Sequence, residues 1–599
     1  MKKDEKDQAP SWNLALLFNG PQDPKIQQSK ETIEVLVYSI NSYKGKFEDM
    51  RIPQFEILVS NYTNLTNICQ TLAVYANLYA SEDRTDPQRI EFETATTEFI
   101  NSQLEKISWL HEEFFNMPRE KKDSIILDPR FKDEQLWLGE MLYRQPLNEM
   151  MLFYLNRISN LSSRWARSYK RNIKKLIFQM KGKKLSLSEI RKIAYCDESK
   201  ERRDLALQIM GNTLSERADQ FADILDNIYN HEIATSQLLE KATDEMVDTV
   251  TYDAMQNGVK EIIDTVHKDV QNNMVVSRYY YKFLAALQGC KGIDYNDRKN
   301  PIKVTTKTYS WEEAKNIITS VAYNFDANIG EIVCEILNAG LVNAVNDPKK
   351  DEGAYCIAYE LPFITTRFDG TIDSINILMH ETFHAVHHRL LFEKVSHLNN
   401  YTSLALSETF SQFGEKLLTQ YLLENAETAE ERLHIMINNV DDQISSIHRQ
   451  IAFANFEEEA FREKKFGSFN EQILTRIFQN KMKDYLGFEP KGGAEKEWII
   501  IHHIFNSPWY CRYYAISQLM VNRLWEKYKN DKEGTFTFFF YRMAVNGAYL
   551  DLENVLSSFE LNINDRDFFY KGINILKEDI LRMVNKAKEL GYSVPEIDF

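Results

Sequence analysis

Glycine and proline are scarce in this chain, which has 21 glycines and 14 prolines among its 599 residues. Both residues interrupt helices, so their scarcity predicts long helices with few breaks. A basic excess is also missing, because 72 Lys and Arg face 88 Asp and Glu and leave a net charge of −16. A net negative charge of this size does not agree with the basic surface of a nucleic-acid-binding protein, so we expect no nucleic-acid partner.

Disulfide frameworks and membrane spans are not indicated either. The six cysteines lie far apart and form no C-x-x-C pair, which is typical of reduced thiols. No apolar run approaches the ~20 residues that span a bilayer, so no membrane partner is expected. The first seven residues are mostly charged and lack the apolar segment of a signal peptide. These features together predict a cytoplasmic protein.

The length predicts more than one core, since 599 residues exceed the ~250–300 at which single cores stop growing. We expect a polar tail over residues 1–10, a helical lobe over 11–195 and a second region over 196–599. A Lys-rich stretch from Lys174 to Lys184 is interpreted as a solvated helix end and loop rather than an anion site. Two short segments, 353–359 and 362–370, are rich in aromatic and β-branched residues and predict a hairpin or small sheet.

The five residues from His380 to His384 are His-Glu-Thr-Phe-His. On a helix, residues four apart share a face, so both imidazoles can point at one metal ion. Glu381 lies about 100° further round, where it can reach a water on that ion without binding the metal. Two further histidines follow at His387 and His388, and burying several without partners would be costly. The string therefore predicts a metal site.

A catalytic zinc site needs three protein ligands and an open position for water. Glu408 follows His384 by 24 residues in a second helical stretch, and Glu415 comes two turns later on the same face. One of these acids can bind the metal while the other hydrogen-bonds a ligand, and Asp373 can play the same supporting part. From the residues alone, an exposed carboxylate is the favoured interpretation of each acid.

Over nearly its whole length the sequence resembles the M3 metallopeptidases, and among them the oligoendopeptidase F branch. The segments that carry the resemblance are the opening Trp12–Phe18 with Asp23-Pro24, the Gly-Ala-Tyr loop in Lys350–Cys356, the substrate-binding edge strand in Pro362–Thr371, the zinc helix in His380–His387, and the His–Tyr motif in His503–Ala515. An ordered set of this kind is highly specific.

The resemblance implies one Zn²⁺ per chain, held by His380, His384 and Glu408, with Glu381 as general base. It also implies two further groups of functional residues. Those that bind substrate would be Gly353, Ala354, Tyr355, Thr365 and Arg367, and those that contact the scissile carbonyl would be His503, Tyr510 and Tyr514.

Two positions depart from the family pattern. Phe383 stands where the family usually has glycine, which changes the close packing of the helix near the metal. Arg512 replaces a tyrosine of the C-terminal motif. The carbonyl-polarising group therefore stays open among Tyr510, Tyr513 and Tyr514, with Arg512 as a possible replacement donor.

The implied fold is mainly α, a two-lobed helical molecule with a deep substrate channel and a small β-sheet near the active site. Residues 196–599 would be the catalytic region with the zinc helix. The implied function is a zinc endopeptidase acting on internal bonds of short unstructured oligopeptides, as a monomer or homodimer. Two other classes remain open: a zinc carboxypeptidase that trims peptide ends, and a non-catalytic peptide-binding scaffold.

Overall fold

The computed structural model describes residues 8–143, 149–243, 259–298, 307–357, 359–399, 402–467, 469–546 and 552–599. Residues 1–7 of the predicted polar tail lie outside this part. The α-helices of the first half are Pro24–Asn41, Ile52–Glu82, Pro87–Glu105, Leu110–Asn116, Arg119–Ile126, Gln135–Tyr143, Glu149–Lys174, Leu187–Cys196, Lys200–Ser215, Ala218–Thr243, Ile263–Asn272 and Met274–Leu287.

The α-helices of the second half are Trp311–Phe325, Ala327–Asn338, Ile372–Lys394, Leu404–Glu424, Ala429–Ile444, Gln450–Phe466, Glu471–Leu486, His502–Asn506, Cys511–Asn530, Phe536–Asn546, Leu552–Ser557 and Phe568–Glu589. Short 3-10 helices are Leu14–Leu16, Pro129–Glu134, Tyr295–Asp297, His397–Asn399 and Ala494–Ile500, and Ser445–Arg449 is a π-helical turn. The prediction of a mainly α fold is confirmed. None of the helices in these ranges is both long and apolar enough to cross a membrane.

Helix boundaries follow capping residues that are visible in the sequence. Pro24 and Pro87 each occupy the first turn of a helix, where a missing N–H costs nothing. The aspartate before each proline accepts a hydrogen bond from a backbone N–H of that turn, from Lys25 and from Gln88. The tight turn between the helices Ile52–Glu82 and Pro87–Glu105 follows directly from this chemistry.

Within the described residues, the interior consists of two hydrophobic clusters. The smaller draws its buried residues from the segment between Phe18 and Leu142. The larger runs from Tyr169 to Ala587 and also includes Trp12, Val74 and Leu78 from the N-terminal part. Two clusters agree with the expected two-lobed organisation, while the proposed boundary at residue 195 stays a prediction.

Two small sheets accompany the helices. Strands β1 (Phe178–Met180) and β2 (Lys183–Leu185) form an antiparallel hairpin. Strands β3 (Val342–Asn343), β4 (Tyr355–Cys356) and β5 (Ile364–Thr365) form a second sheet in the order β3-β5-β4. The sheet predicted from residues 353–359 and 362–370 is confirmed, and β3 is an additional strand that adds parallel to β5.

The position of β5 corrects one expectation. The segment Pro362–Thr371 was expected to offer an edge strand, but β5 pairs with β3 on one side and with β4 on the other. Its main-chain groups are therefore satisfied within the sheet, and an added peptide strand has no free edge there. The two edge strands are β3 and β4, of which β4 lines the cavity at the predicted metal site, so the edge-strand prediction for Pro362–Thr371 is wrong.

Candidate metal and peptide site

Two helices bring the predicted metal ligands together. The helix Ile372–Lys394, here the histidine helix, begins after Thr371, whose hydroxyl accepts from the Ser374 N–H at 3.2 Å. The helix Leu404–Glu424, here the glutamate helix, packs along it. Nearly every residue from Leu378 to Leu391 is buried, so the histidine helix lies inside the larger core and not on the surface.

His380, His384 and Glu408 converge on one point. Glu408 Oε2 lies 3.3 Å from His380 Nε2 and 3.6 Å from His384 Nε2. One ligand atom from each of the three residues falls within 4.8 Å of the others. Because the histidines are one helical turn apart, their rings face the same way and the carboxylate closes the triangle.

The other ring nitrogen of each histidine is held by a neighbour. Glu415, two turns after Glu408, hydrogen-bonds Nδ1 of His380. The Ser407 hydroxyl lies 3.3 Å from Nδ1 of His384. A carboxylate only accepts, so the His380 Nδ1–H donates to Glu415 and Nε2 keeps its lone pair for the metal. Asp373, the other predicted support, is exposed and interacts electrostatically with His434.

The charges of the cluster stabilise one another. Burial alone would lower the pKa of His380, but the carboxylates of Glu408 and Glu415 outweigh it and raise that pKa well above its ordinary value. Burial would likewise raise the pKa of Glu408, but the two histidines lower it well below its usual range. The chain thus holds a buried carboxylate beside two imidazoles, and the negative charge of the carboxylates favours a cation at this place.

Glu381 lies beside this cluster, with only 6% of its surface exposed. Burial raises its pKa; His380 and His384 lower it, and the Glu408 and Glu415 carboxylates raise it further. The Cys356 thiol on β4 lies near the same carboxylate, and burial raises the pKa of that thiol as well. Glu381 is therefore a poorly solvated carboxyl with an elevated pKa, as suits a general base.

The C-terminal motif contributes three residues to the same place. His503 lies in the helix His502–Asn506, and Tyr510 and Tyr514 lie at the start of the helix Cys511–Asn530, here the tyrosine helix. The Tyr510 hydroxyl donates to Glu408 Oε1, and the Tyr514 hydroxyl lies 3.3 Å from His503 Nε2. The ring of His503 stacks on that of Tyr510, with centroids 5.5 Å apart.

The side chains of Tyr513 and Arg512 lie outside the cavity at the metal cluster. Tyr513 is fully buried, and Arg512 is only 1% exposed. Neither residue lines the cavity at the metal cluster, whereas Tyr510, Tyr514 and His503 do. Arg512 instead acts electrostatically on Glu457 and His267 in the core. Of the residues left open for the carbonyl contact, Tyr510 and Tyr514 therefore lie at the metal cluster, whereas Tyr513 and Arg512 do not.

A cavity of about 420 Å³ joins the metal cluster to strand β4. Gly353, Ala354 and Tyr355 line it, as expected of substrate-binding residues. Thr365 and Arg367 do not. Thr365 is buried on the central strand β5 opposite Tyr355, and Arg367 donates to the carbonyls of Lys350 and Asp351 at 3.1 and 3.2 Å. These two residues support the Gly353 loop from behind.

Several cavity residues escaped the sequence analysis. Lys170 and Lys174 come from the helix Glu149–Lys174, here the basic helix, and line the cavity opposite β4. The Lys174 side chain is 5% exposed and pairs with Glu352, so its assignment to a solvated helix end is wrong. The remaining lysines of that stretch are exposed as expected, and they are Lys175, Lys181, Lys183 and Lys184. The sequence feature that indicates this basic helix face is the recurrence of basic residues every three or four positions.

The donor set fits a catalytic zinc ion. Two imidazoles and one carboxylate are a ligand set that such sites use. The support of both Nδ1 atoms leaves the two Nε2 atoms directed at the cluster. The cavity beside the cluster has room for a water and a peptide bond, and Glu381 reaches it from the same helix.

Comparisons with known proteins agree with this geometry. Residues 320–572 match the family model "Peptidase family M3". The group B oligopeptidase PepB of Streptococcus agalactiae serotype III (strain NEM316) is 22% identical over 53% of this chain and 53% of that protein. An oligoendopeptidase F homolog of Borreliella burgdorferi (strain ATCC 35210 / DSM 4680 / CIP 102532 / B31) is 21% identical over 96% of this chain and 98% of that one.

Three of the curated relatives are matched over only 33% to 53% of their own length. The fold similarity is more extensive. The crystal structure of oligoendopeptidase-F from Enterococcus faecium superposes with a TM-score of 0.71 at 15% identity, covering 94% of this chain and 99% of that one.

A histidine pair and a glutamate beside a cavity in this helical fold form a candidate metallopeptidase site. Residues 320–572, which match the model of peptidase family M3, contain all the predicted metal, catalytic and substrate-binding residues. The resemblance to M3 peptidases of the oligoendopeptidase F type is thereby confirmed.

Proposed function

We propose that this protein is a zinc-dependent endopeptidase that hydrolyses internal bonds of short, unstructured oligopeptides. The observation that carries the proposal is the convergence of His380, His384 and Glu408 within 4.8 Å, on the wall of a cavity that also holds Glu381. The relatives named above as oligopeptidases and oligoendopeptidases support the same substrate class.

His380, His384 and Glu408 would hold the metal, with Glu415 fixing the tautomer of His380. When bound, Zn²⁺ supplies a Lewis acid that lowers the pKa of a water to about 7 and polarises the scissile carbonyl. Glu381 takes a proton from that water and passes it to the leaving amine. Its burial and raised pKa make it suitable both to accept the proton and to release it.

His503, Tyr510 and Tyr514 would contact the carbonyl oxygen on which negative charge develops. Such preorganised donors contribute roughly 2.7–4 kcal/mol each to transition-state stabilisation. Burial lowers the pKa of His503, with Glu408 partly opposing that shift. A neutral imidazole can still donate from one nitrogen, and the 3.3 Å contact with Tyr514 couples the two donors.

The peptide would lie extended along the free side of β4 and add main-chain hydrogen bonds to Gly353, Ala354 and Tyr355. Main-chain recognition selects little by side chain, and a cavity of about 420 Å³ admits a strand but no folded domain. The six free cysteines suit a reducing compartment, and a cytoplasmic location is part of the proposal.

The test uses one peptide of about ten residues that is acetylated and amidated, incubated with protein as isolated, with chelator, and with zinc restored. Mass spectrometry should detect internal cleavage that chelation abolishes and zinc restores. Products only from unblocked peptides, each shortened from the carboxyl end, would overturn the proposal in favour of a carboxypeptidase. Absence of both products and bound metal would favour a peptide-binding scaffold.

A further inference from the structure

A row of basic residues follows one face of the basic helix. Arg164, Arg167, Lys170 and Lys174 recur at intervals of three or four, and Arg171 lies between them on the same side. The row begins on the surface, where Arg164 is 61% exposed, and ends in the cavity at Lys174. In a chain with a net charge of −16, such a row is a local reversal of the overall charge.

The row also lines a second cleft of about 280 Å³ beside the catalytic cavity. Lys170 lines both, so the cleft and the cavity adjoin at its side chain. Five basic residues line the cleft against two acidic ones, Glu93 and Glu98. The cleft is therefore electropositive at the point where it meets the cavity.

Ion pairs within the protein compensate only part of the positive charge of the cleft. Arg84 pairs with Glu93 at 2.6 Å and with Asp351 at 3.0 Å. Arg164 pairs with Glu98 at 2.9 Å, so each acid that lines the cleft already has a basic partner. Lys170 lies 3.5 Å from Asp351 and keeps 30% of its side chain exposed. Arg167 has no ion pair with any acid in the described part of the chain, which leaves its guanidinium available to a ligand.

We propose that Arg167 and Lys170 form a subsite for the C-terminal carboxylate of the peptide substrate, an inference that rests on the proposed function. Lys170 contacts Asp351, which precedes β4. The metal cluster lies further along the same cavity. A peptide whose C-terminal carboxylate lies at Lys170 would thus run antiparallel to β4. The peptide bond at the metal cluster would then lie upstream of the C-terminus of the peptide. The subsite would favour peptides that end within a short distance of the scissile bond.

The test compares two peptides of identical sequence, one ending in a free acid and the other in an amide, by kcat/KM. The free acid should be preferred by roughly tenfold, because a carboxylate gains charge-assisted hydrogen bonds that an amide does not. Arg167→Gln should reduce that preference several-fold, because kcat/KM for the free acid should fall more than kcat/KM for the amide. Raising the ionic strength should reduce the preference in the parent protein as well.

Arg462→Gln is the matched control, since Arg462 is an exposed arginine outside both the cleft and the cavity. It changes the net charge equally and should leave the acid-to-amide ratio intact. Equal cleavage of acid and amide by the parent protein would overturn the subsite and leave the endopeptidase proposal standing. Cleavage of neither peptide would instead count against the proposed function itself.

Discussion

Phe383 of the histidine helix packs directly against Gly414 of the glutamate helix. A Cβ atom added at Gly414 would lie 2.5 Å from Cγ and 2.8 Å from Cδ2 of the Phe383 ring. Phe383 stands where the family usually has glycine. Its ring fills the space that the missing side chain of Gly414 leaves on the partner helix. The pair sets the spacing between the two helices that carry the metal ligands.

Gly414→Ala should therefore destabilise the protein by roughly 1–3 kcal/mol, because overpacking outweighs the usual gain from replacing a helical glycine. Metal affinity should fall too, since the ligand helices are pushed apart. Denaturant unfolding and metal titration measure both effects. Gly139→Ala is the control, because its new Cβ would lie 4.0 Å from the nearest side-chain atom. Equal stability of the two variants would contradict the prediction.

Metal content should be one zinc per chain, lost together with activity on chelation and restored by added zinc. His384→Ala and Glu408→Ala should each weaken metal binding strongly, because three ligands are needed. Glu415→Gln should weaken it about 10–100-fold by loosening His380. Asp373→Asn is the control, since that carboxylate is exposed. Unchanged affinity in Glu408→Ala would move the third ligand elsewhere, with Glu415 next in line.

The variant Glu381→Gln tests whether Glu381 acts as a general base and not as a metal ligand. The substitution keeps the size of the side chain and leaves the three metal ligands in place, so bound zinc should be retained. Turnover should nevertheless fall by orders of magnitude, because an amide cannot accept the proton of the attacking water. Metal analysis and kcat on one blocked peptide decide the matter, and near-normal turnover would refute the role of Glu381.

The three tyrosines should differ in a characteristic way. Tyr514→Phe should lower kcat and kcat/KM together while metal content stays normal, as expected for a donor that acts as charge develops. Tyr510→Phe should also weaken metal binding, because its hydroxyl holds Glu408. Tyr513→Phe, outside the cavity, should leave kcat unchanged. Normal kcat in all three variants would assign the carbonyl contact to zinc and His503 alone.

Glu457 should be a positioning residue for this motif. Trp509 has a left-handed backbone with φ of 69°, and its N–H donates to Glu457 Oε1 at 2.9 Å. Burial raises the pKa of Glu457 well above its usual value, against the opposing effects of the Trp509 N–H and of Arg512. A glutamine at this position would keep an oxygen that can accept from Trp509. Glu457→Gln should then be well tolerated.

Glu457→Ala should destabilise the fold by about 1–3 kcal/mol, since it leaves the strained turn without its acceptor. It should also lower kcat, because Tyr510 directly follows the turn. Thermal melting and kcat of the two variants provide the measurement. If alanine and glutamine behaved alike, Glu457 would have no part in holding the turn.

The sequence by itself determined what depends on neighbours along the chain. The spacing of His380 and His384 places two imidazoles on one helical face whatever surrounds them. Proline after aspartate at 23–24 and 86–87 starts helices because the cap and the fixed φ act locally. The sheet segments were likewise visible in their β-branched and aromatic composition.

Only the tertiary structure decided which groups meet across long separations. That β5 is a central strand depends on β3, which lies earlier in the chain and pairs parallel to β5 only in the folded structure. Tyr510 and Tyr513 look alike in a string of aromatic residues, but the turn at Trp509 and the start of the tyrosine helix direct one hydroxyl to Glu408 and the other ring into the core. Lys174 became a cavity residue because Glu352, far away in sequence, compensates the cost of burying its charge.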